Sequence, residues 1–170
     1  DSLIFTGTEA FYDLKTYMLK IEGVPFIEVA DAKIYPDNGK IAIGQEARMQ
    51  VLENAVVDAD TSTNYHRFYD ASIIVKGKRN YRGYGYYDYS NISGEKQQIY
   101  FNKIRVQEDS LGELTTYAIG EIKQKRADDT TRKDFSLNPD IKFSGEVRLQ
   151  APEKHLTFDG YARIDTPHPL

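Results

Sequence analysis

Seven consecutive positions, Asp58-Ala59-Asp60-Thr61-Ser62-Thr63-Asn64, place oxygen donors at alternate residues, as the opening of a calcium loop does. Calcium takes about six to eight oxygens, and alternation turns such side chains toward one point. The glycine such a loop needs at its sixth position is Thr63, and the acid at its twelfth is Tyr69. The segment therefore reads as an exposed turn capped by Asp and Ser. The histidines His66, His155 and His168 form neither a His-Glu-x-x-His nor a His-x-His pattern, which leaves zinc without support. Gly83-Tyr84-Gly85 begins like a dinucleotide fingerprint, but Asp88 stands where the third glycine belongs and no βαβ pattern surrounds it. The chain has no Gly-x-Ser-x-Gly elbow and no phosphate-cradling Walker loop. It has no cysteine, which excludes disulfides, thiolate metal sites and thiol nucleophiles. Carboxylates are plentiful, yet nothing singles out a glycosidase pair. The expectation is a protein that is not an enzyme, with no catalytic residue, no metal and no cofactor.

Tyrosine is the other chemistry-bearing residue. Eight of the thirteen tyrosines lie between Tyr65 and Tyr100, and the densest run is Tyr81-Arg82-Gly83-Tyr84-Gly85-Tyr86-Tyr87-Asp88-Tyr89. On a strand, Tyr81, Tyr87 and Tyr89 point one way and Tyr84 and Tyr86 the other. A flat ring with a polar tip suits contact with sugars, peptides or another protein. Aromatic residues also stabilise strands through cross-strand pairs, so a structural use stands beside the functional one. Tyr81, Tyr84, Tyr86, Tyr87 and Tyr89 are the candidate ligand-binding residues. The absence of tryptophan weakens the carbohydrate reading, because tryptophan offers the largest stacking platform.

The net charge of −4 mixes both signs along the chain, and no basic face suggests nucleic acid. Lys123, Lys125, Arg126, Arg132 and Lys133 are diluted by Asp128 and Asp129 and read as a solvated loop. No apolar run approaches the length of a bilayer span, so no transmembrane segment is expected.

The elements that carry these residues are strands. Period-two alternation recurs in short runs separated by turn residues. Val24–Val29 leads into Asp31–Tyr35, and Pro36-Asp37-Asn38-Gly39 predicts a tight turn with Lys40–Ile43 as the return arm of a hairpin. Phe68–Val75 and Tyr81–Tyr89 predict a second hairpin about Lys76-Gly77-Lys78. Further strands are expected over Gln97–Val106, Thr115–Lys123, Ile141–Leu149 and His155–Ile164. Glu9–Lys20 has near-helical spacing of Phe11, Leu14 and Met18 and is the one candidate helix. Gln45–Asn54 has helix-forming residues, but Ala47, Met49 and Val51 alternate as a strand would.

Glycine stands two positions after an aromatic or alanine in six such frames, at Gly7, Gly44, Gly83, Gly120, Gly145 and Gly160. Because glycine weakens a strand, its recurrence implies bends, bulges or close layering. Asp31-Ala32, Asn54-Ala55 and Asp70-Ala71 each set a short polar residue and an alanine before an aliphatic, again a sign of close layers.

Phe143-Ser144-Gly145-Glu146-Val147-Arg148-Leu149 and Phe158-Asp159-Gly160-Tyr161-Ala162-Arg163-Ile164 share one pattern. Together with the stretch from Val29 to Ile43 they resemble the β-jellyroll repeats of the OstA type, found in lipopolysaccharide-transport proteins of the Gram-negative periplasm. The chain also resembles large β-rich envelope proteins of the Bacteroides group. The resemblance implies stacked antiparallel strands and an extracytoplasmic setting: periplasm, cell surface or secreted.

The chain is thus expected to be all-β, a mainly antiparallel stacked jelly roll or sandwich with curved sheets and at most one short helix. Residues 1–170 read as one β-rich domain, a segment of a larger protein. The expected role is assembly or binding, with a protein, glycan or glycolipid partner and self-association through strand edges. A lipid-carrying module of the OstA type and a carbohydrate-binding or carbohydrate-active domain are the alternatives.

Overall fold

A computed structural model describes residues 2–165; His168 and the rest of the 166–170 end lie outside the described residues. The chain is all-β and antiparallel. Thirteen strands follow in order: β1 (Glu9–Asp13), β2 (Met18–Glu22), β3 (Ile27–Val29), β4 (Ala32–Tyr35), β5 (Ile41–Ile43), β6 (Leu52–Ala59), β7 (His66–Gly77), β8 (Asn80–Ser90), β9 (Lys96–Glu108), β10 (Leu114–Ile122), β11 (Ser136–Asn138), β12 (Ile141–Gln150) and β13 (Thr157–Ile164). A small sheet has the order β1-β2-β5. The large sheet runs β3-β4-β6-β7-β8-β9-β10-β12, with β11 beside the start of β12 and β13 on its other edge.

The order of the large sheet is that of a meander in which each long strand pairs with the next. The predicted hairpin at Lys76–Lys78 forms as β7 and β8. The predicted hairpin at Pro36–Gly39 does not. Its residues 37–39 make a 3-10 turn with Asn38 at φ 52°, and β5 leaves for the small sheet to pair with β2. The true partners of β4 are β3 and β6. The candidate helix over Glu9–Lys20 is also strand, because β1 and β2 form a hairpin around residues 14–17. Helical spacing of three apolar residues is too short a pattern to compete with that pairing. Gln45–Ala47 is a 3-10 turn, after which β6 begins at Leu52.

Two of the three pairs of a short polar residue and alanine mark bulges, while Asp31-Ala32 leaves the β3–β4 turn in regular register. Asn54 and Asp70 take φ of 52° and 45°, a region Asn and Asp tolerate better than most residues. Register slips on either side of Ala55 and again after Tyr69. Each bulge turns an alanine inward, and the two alanines face each other as a register pair, Ala55 opposite Ala71. Gly85 continues this small inward row, since a Cβ there would sit 2.8 Å from that of Ala71. The row passes on through Phe101, Gly120 and Val147. Small residues let neighbouring backbones close in, and each bulge adds twist, so the sheet curls. Of the six glycine frames, four lie in strands; Gly7 and Gly44 lie outside them. The matching patterns at residues 143–149 and 158–164 are the two arms of one hairpin, and Gly145 faces Gly160 across it.

The curl buries one continuous core that includes Phe68, Tyr81, Phe101, Ile73 and Leu149. Polar bonds tie distant segments together. Asp31, in the β3–β4 turn, accepts bonds from the backbone N–H and hydroxyl of Thr116 on β10, at 2.7 and 2.6 Å. His66 at the start of β7 bonds the carbonyl of Glu153 beyond β12 at 2.6 Å. A second inner cluster is made of rings. Tyr89, Phe135, Phe143 and Phe158 meet with centroids 5.2–6.5 Å apart.

Candidate functional site: an outer tyrosine ladder

Alternation along β8 sorts the tyrosine run by face. Tyr81 is fully buried, and Tyr87 and Tyr89 are half-buried against the core. Their inward parity is shared by Gly83 and Gly85, which lie where β7 presses closest; a Cβ on Gly83 would sit 2.0 Å from the Ser72 carbonyl oxygen. Tyr84 and Tyr86 therefore point outward.

Three of the five candidate residues thus sit inside the roll, where each has a structural partner. Thr116 spends its hydroxyl proton on Asp31, so Tyr81 donates to the Thr116 oxygen. Burial pushes the Tyr81 phenol far above its ordinary value. Tyr87 donates to Nδ1 of His66 at 2.9 Å, and burial pushes its phenol up to about 12. That bond and the Glu153 carbonyl fix His66 as the neutral Nε2–H tautomer. Desolvation holds its pKa below the usual histidine value. Tyr89 belongs to the ring cluster with Phe135 and Phe158, and desolvation raises its phenol. These groups join strands to one another.

The outward pair is joined by two tyrosines from flanking strands. Tyr69 on β7, Tyr86 on β8 and Tyr100 on β9 are direct register partners, so they form a rung across three strands. Ring centroids lie 6.2 Å apart for Tyr69–Tyr86, with planes at 30°, and 5.1 Å apart for Tyr86–Tyr100. Tyr84 meets Tyr100 at 6.1 Å. The Tyr69 hydroxyl donates to Asp88 at 2.6 Å and accepts from the Gln98 amide at 2.9 Å, which fixes the ring. Tyr84 and Tyr100 remain 45% and 42% exposed. Mutual desolvation and neighbouring phenols raise the Tyr100 pKa. The result is an outward aromatic platform edged by one carboxylate and one amide.

A groove of about 670 Å³ extends from Tyr86 and Tyr100 to the loop between β10 and β11, lined there by Lys125, Arg132 and Lys133. In that loop Asp129 accepts bonds from Thr131, consistent with a solvated turn. Sequence reasoning did not select Tyr69 and Tyr100. Strand alternation gives their face, but only the register across β7, β8 and β9 brings them beside Tyr86.

The Asp58–Asn64 segment does not converge on a point. Asp58 pairs with Arg67, while Asp60 is largely buried and accepts from the Ser62 N–H. Among the described residues no group of three His, Asp or Glu side chains is placed to hold a metal ion. Among the described residues no helix is long and apolar enough to cross a membrane. Comparison with protein-family models, curated proteins and solved structures finds no match to this chain.

Proposed function

We propose that this chain is a non-catalytic binding domain of an extracytoplasmic protein, and that the outer tyrosines are its contact surface. One observation carries the reading: Tyr69, Tyr84, Tyr86 and Tyr100 are in ring contact on the outside of the roll, and two of them keep over two-fifths of their surface in water. Cross-strand stacking alone would be served by rings that cover one another. Asp88 and Gln98 fix Tyr69 at one end of the ladder, and the exposed Tyr84 and Tyr100 rings pack against their neighbours, so the surface is preorganised for a partner, which lowers the ordering cost of binding. The OstA-type resemblance supports the extracytoplasmic setting, and a cysteine-free chain is compatible with it. The filled interior, with Phe68, Tyr81 and Phe101 at its centre, favours binding on the surface over lipid carriage within.

A glycan array tests the surface, comparing the wild-type chain with Tyr86→Ala/Tyr100→Ala. Wild-type chain is expected to retain ligands that the double variant loses while it still melts cooperatively. A ligand held equally well by both proteins removes the ladder from the binding surface.

A second reading, self-association through a strand edge, is favoured by β13. Its outer edge pairs with no strand among the described residues, and Tyr161 and Ile164 on it are 83% and 66% exposed. Sedimentation velocity across a concentration series tests it. A monomer at every concentration removes this reading.

A further inference from the structure

Next to the ladder the same outer face carries an arrangement that stability does not explain. Arg82 on β8 and Arg105 on β9 are direct register partners, and both are exposed. Like charges directly opposite on adjacent strands destabilise a sheet. Among the described residues, no carboxylate lies within ion-pair distance of either guanidinium. Both arginines line one shallow depression of about 420 Å³, together with Lys103, Asn102, Ile74 and Tyr84. Three cations and no acid border it, in a chain whose net charge is −4. The Arg105 guanidinium lies 5.5 Å over the ring of Tyr117, its register partner on β10, which holds it in place. Tyr84 borders the depression on one side and contacts Tyr100 of the ladder on the other. The cationic hollow and the aromatic platform are therefore one continuous surface.

We propose that this surface binds an acidic oligosaccharide, with a carboxylate or sulfate group between Arg82 and Arg105 and a sugar ring on Tyr84. The proposal rests on the reading of the tyrosines as a contact surface and names the ligand class. Paired guanidinium groups suit a planar or tetrahedral oxyanion, which they grip through several N–H donors. The platform then takes the less polar face of a sugar, and Asp88 accepts from its hydroxyls. A single-stranded nucleic acid would also find rings and cations here, but it would bring its phosphates past the Asp88 carboxylate. The sequence pI of about 5.4 is also far from that of a nucleic-acid binder. The volume suits one or two sugar units.

Isothermal titration calorimetry of the 170-residue chain tests this with three probes: an oligogalacturonate hexamer, its carboxyl-reduced neutral counterpart and a heparin hexasaccharide. At least one acidic probe is expected to bind, the neutral one more weakly, with affinity falling as salt rises. Arg82→Gln/Arg105→Gln is expected to weaken binding by about tenfold or more. Removing a facing like-charge pair leaves the fold intact, so its melting temperature is expected to equal or exceed that of wild type. Absence of binding to both acidic probes overturns the proposal, as does equal binding of the neutral one. Tighter binding of a thymidine decamer than of either acidic sugar overturns it in favour of single-stranded nucleic acid. Binding unchanged in the arginine variant but lost in Tyr86→Ala/Tyr100→Ala overturns the anion assignment and leaves the tyrosine surface standing. Loss in the arginine variant with binding retained in the tyrosine variant sustains the anion assignment and removes the ladder.

Discussion

The carboxylate of Asp31 grips Thr116 with both oxygens, one on the backbone N–H and one on the hydroxyl, across 85 positions of sequence. Asp31 stands in the tight turn between β3 and β4, near one edge of the large sheet. Thr116 stands on β10, several strands away. The bond therefore records how far the sheet has curled, between a half-buried carboxylate and a fully buried threonine.

The first prediction concerns the hydroxyl of Thr116. Thr116→Val keeps the shape but leaves an Asp31 oxygen and the buried Tyr81 hydroxyl without their partner. It is expected to cost about 2–4 kcal/mol, read as a lower urea midpoint. Tyr81→Phe removes a donor and leaves no charged group unpaired, so its cost is expected to be about 1 kcal/mol.

Desolvation raises the Asp31 pKa above its ordinary 3.8, although the bonds from Thr116 oppose the rise. The folded state then holds the Asp31 proton more tightly than the unfolded chain does. This contribution to stability is complete below pH 3.8 and is lost as pH rises through the folded value. Asp31→Asn is expected to remove that loss. Unfolding midpoints of wild type and variant, measured from pH 3 upward, should converge at the acid end and differ in slope above it.

His66 works in the opposite sense. Its pKa lies below the usual 6.5, chiefly through burial, so the unfolded chain takes up a proton more readily than the folded one. Its stabilising contribution is present above pH 6.5 and is lost as pH falls toward the folded value. His66→Gln can still donate to the Glu153 carbonyl and accept from Tyr87. It is expected to flatten the stability profile below pH 6.5, measured by chemical denaturation.

Gly145 and Gly77 offer a matched pair. Both lie in the positive-φ region, at 144° and 146°. A Cβ on Gly77 meets nothing within 4 Å, whereas one on Gly145 would sit 2.6 Å from the Gly160 Cα and 2.5 Å from the Asp159 oxygen. Gly77→Ala is expected to cost about 1–2 kcal/mol from backbone strain alone. Gly145→Ala is expected to cost clearly more and to open the β12–β13 hairpin. Faster amide exchange along β13 in that variant would register the opening.

The strand content was legible because alternation is local, and the long strands β7 to β10 fall close to where alternation places them. The facing of Tyr84 and Tyr86 was legible for the same reason. Pairing was not. Pro36-Asp37-Asn38-Gly39 carries the residues of a hairpin turn, yet β5 pairs with β2, which begins at Met18, the last residue of the helical spacing Phe11, Leu14 and Met18. The polar–alanine motif signalled close layers, but only the register shows Ala55 facing Ala71 across two bulges. The ladder required the register of three strands, and the facing of Arg82 by Arg105 required the same. No single strand contains either relationship.

The span between Asp31 and Thr116 also orders events in time. Hairpins such as β7–β8 join residues close in the chain and can form as soon as both arms exist. The latch between the β3–β4 turn and β10 has to wait for the long meander in between, whose loop entropy must be overcome first. On a ribosome, the early strands therefore remain without their polar clasp until more than two-thirds of these residues have emerged.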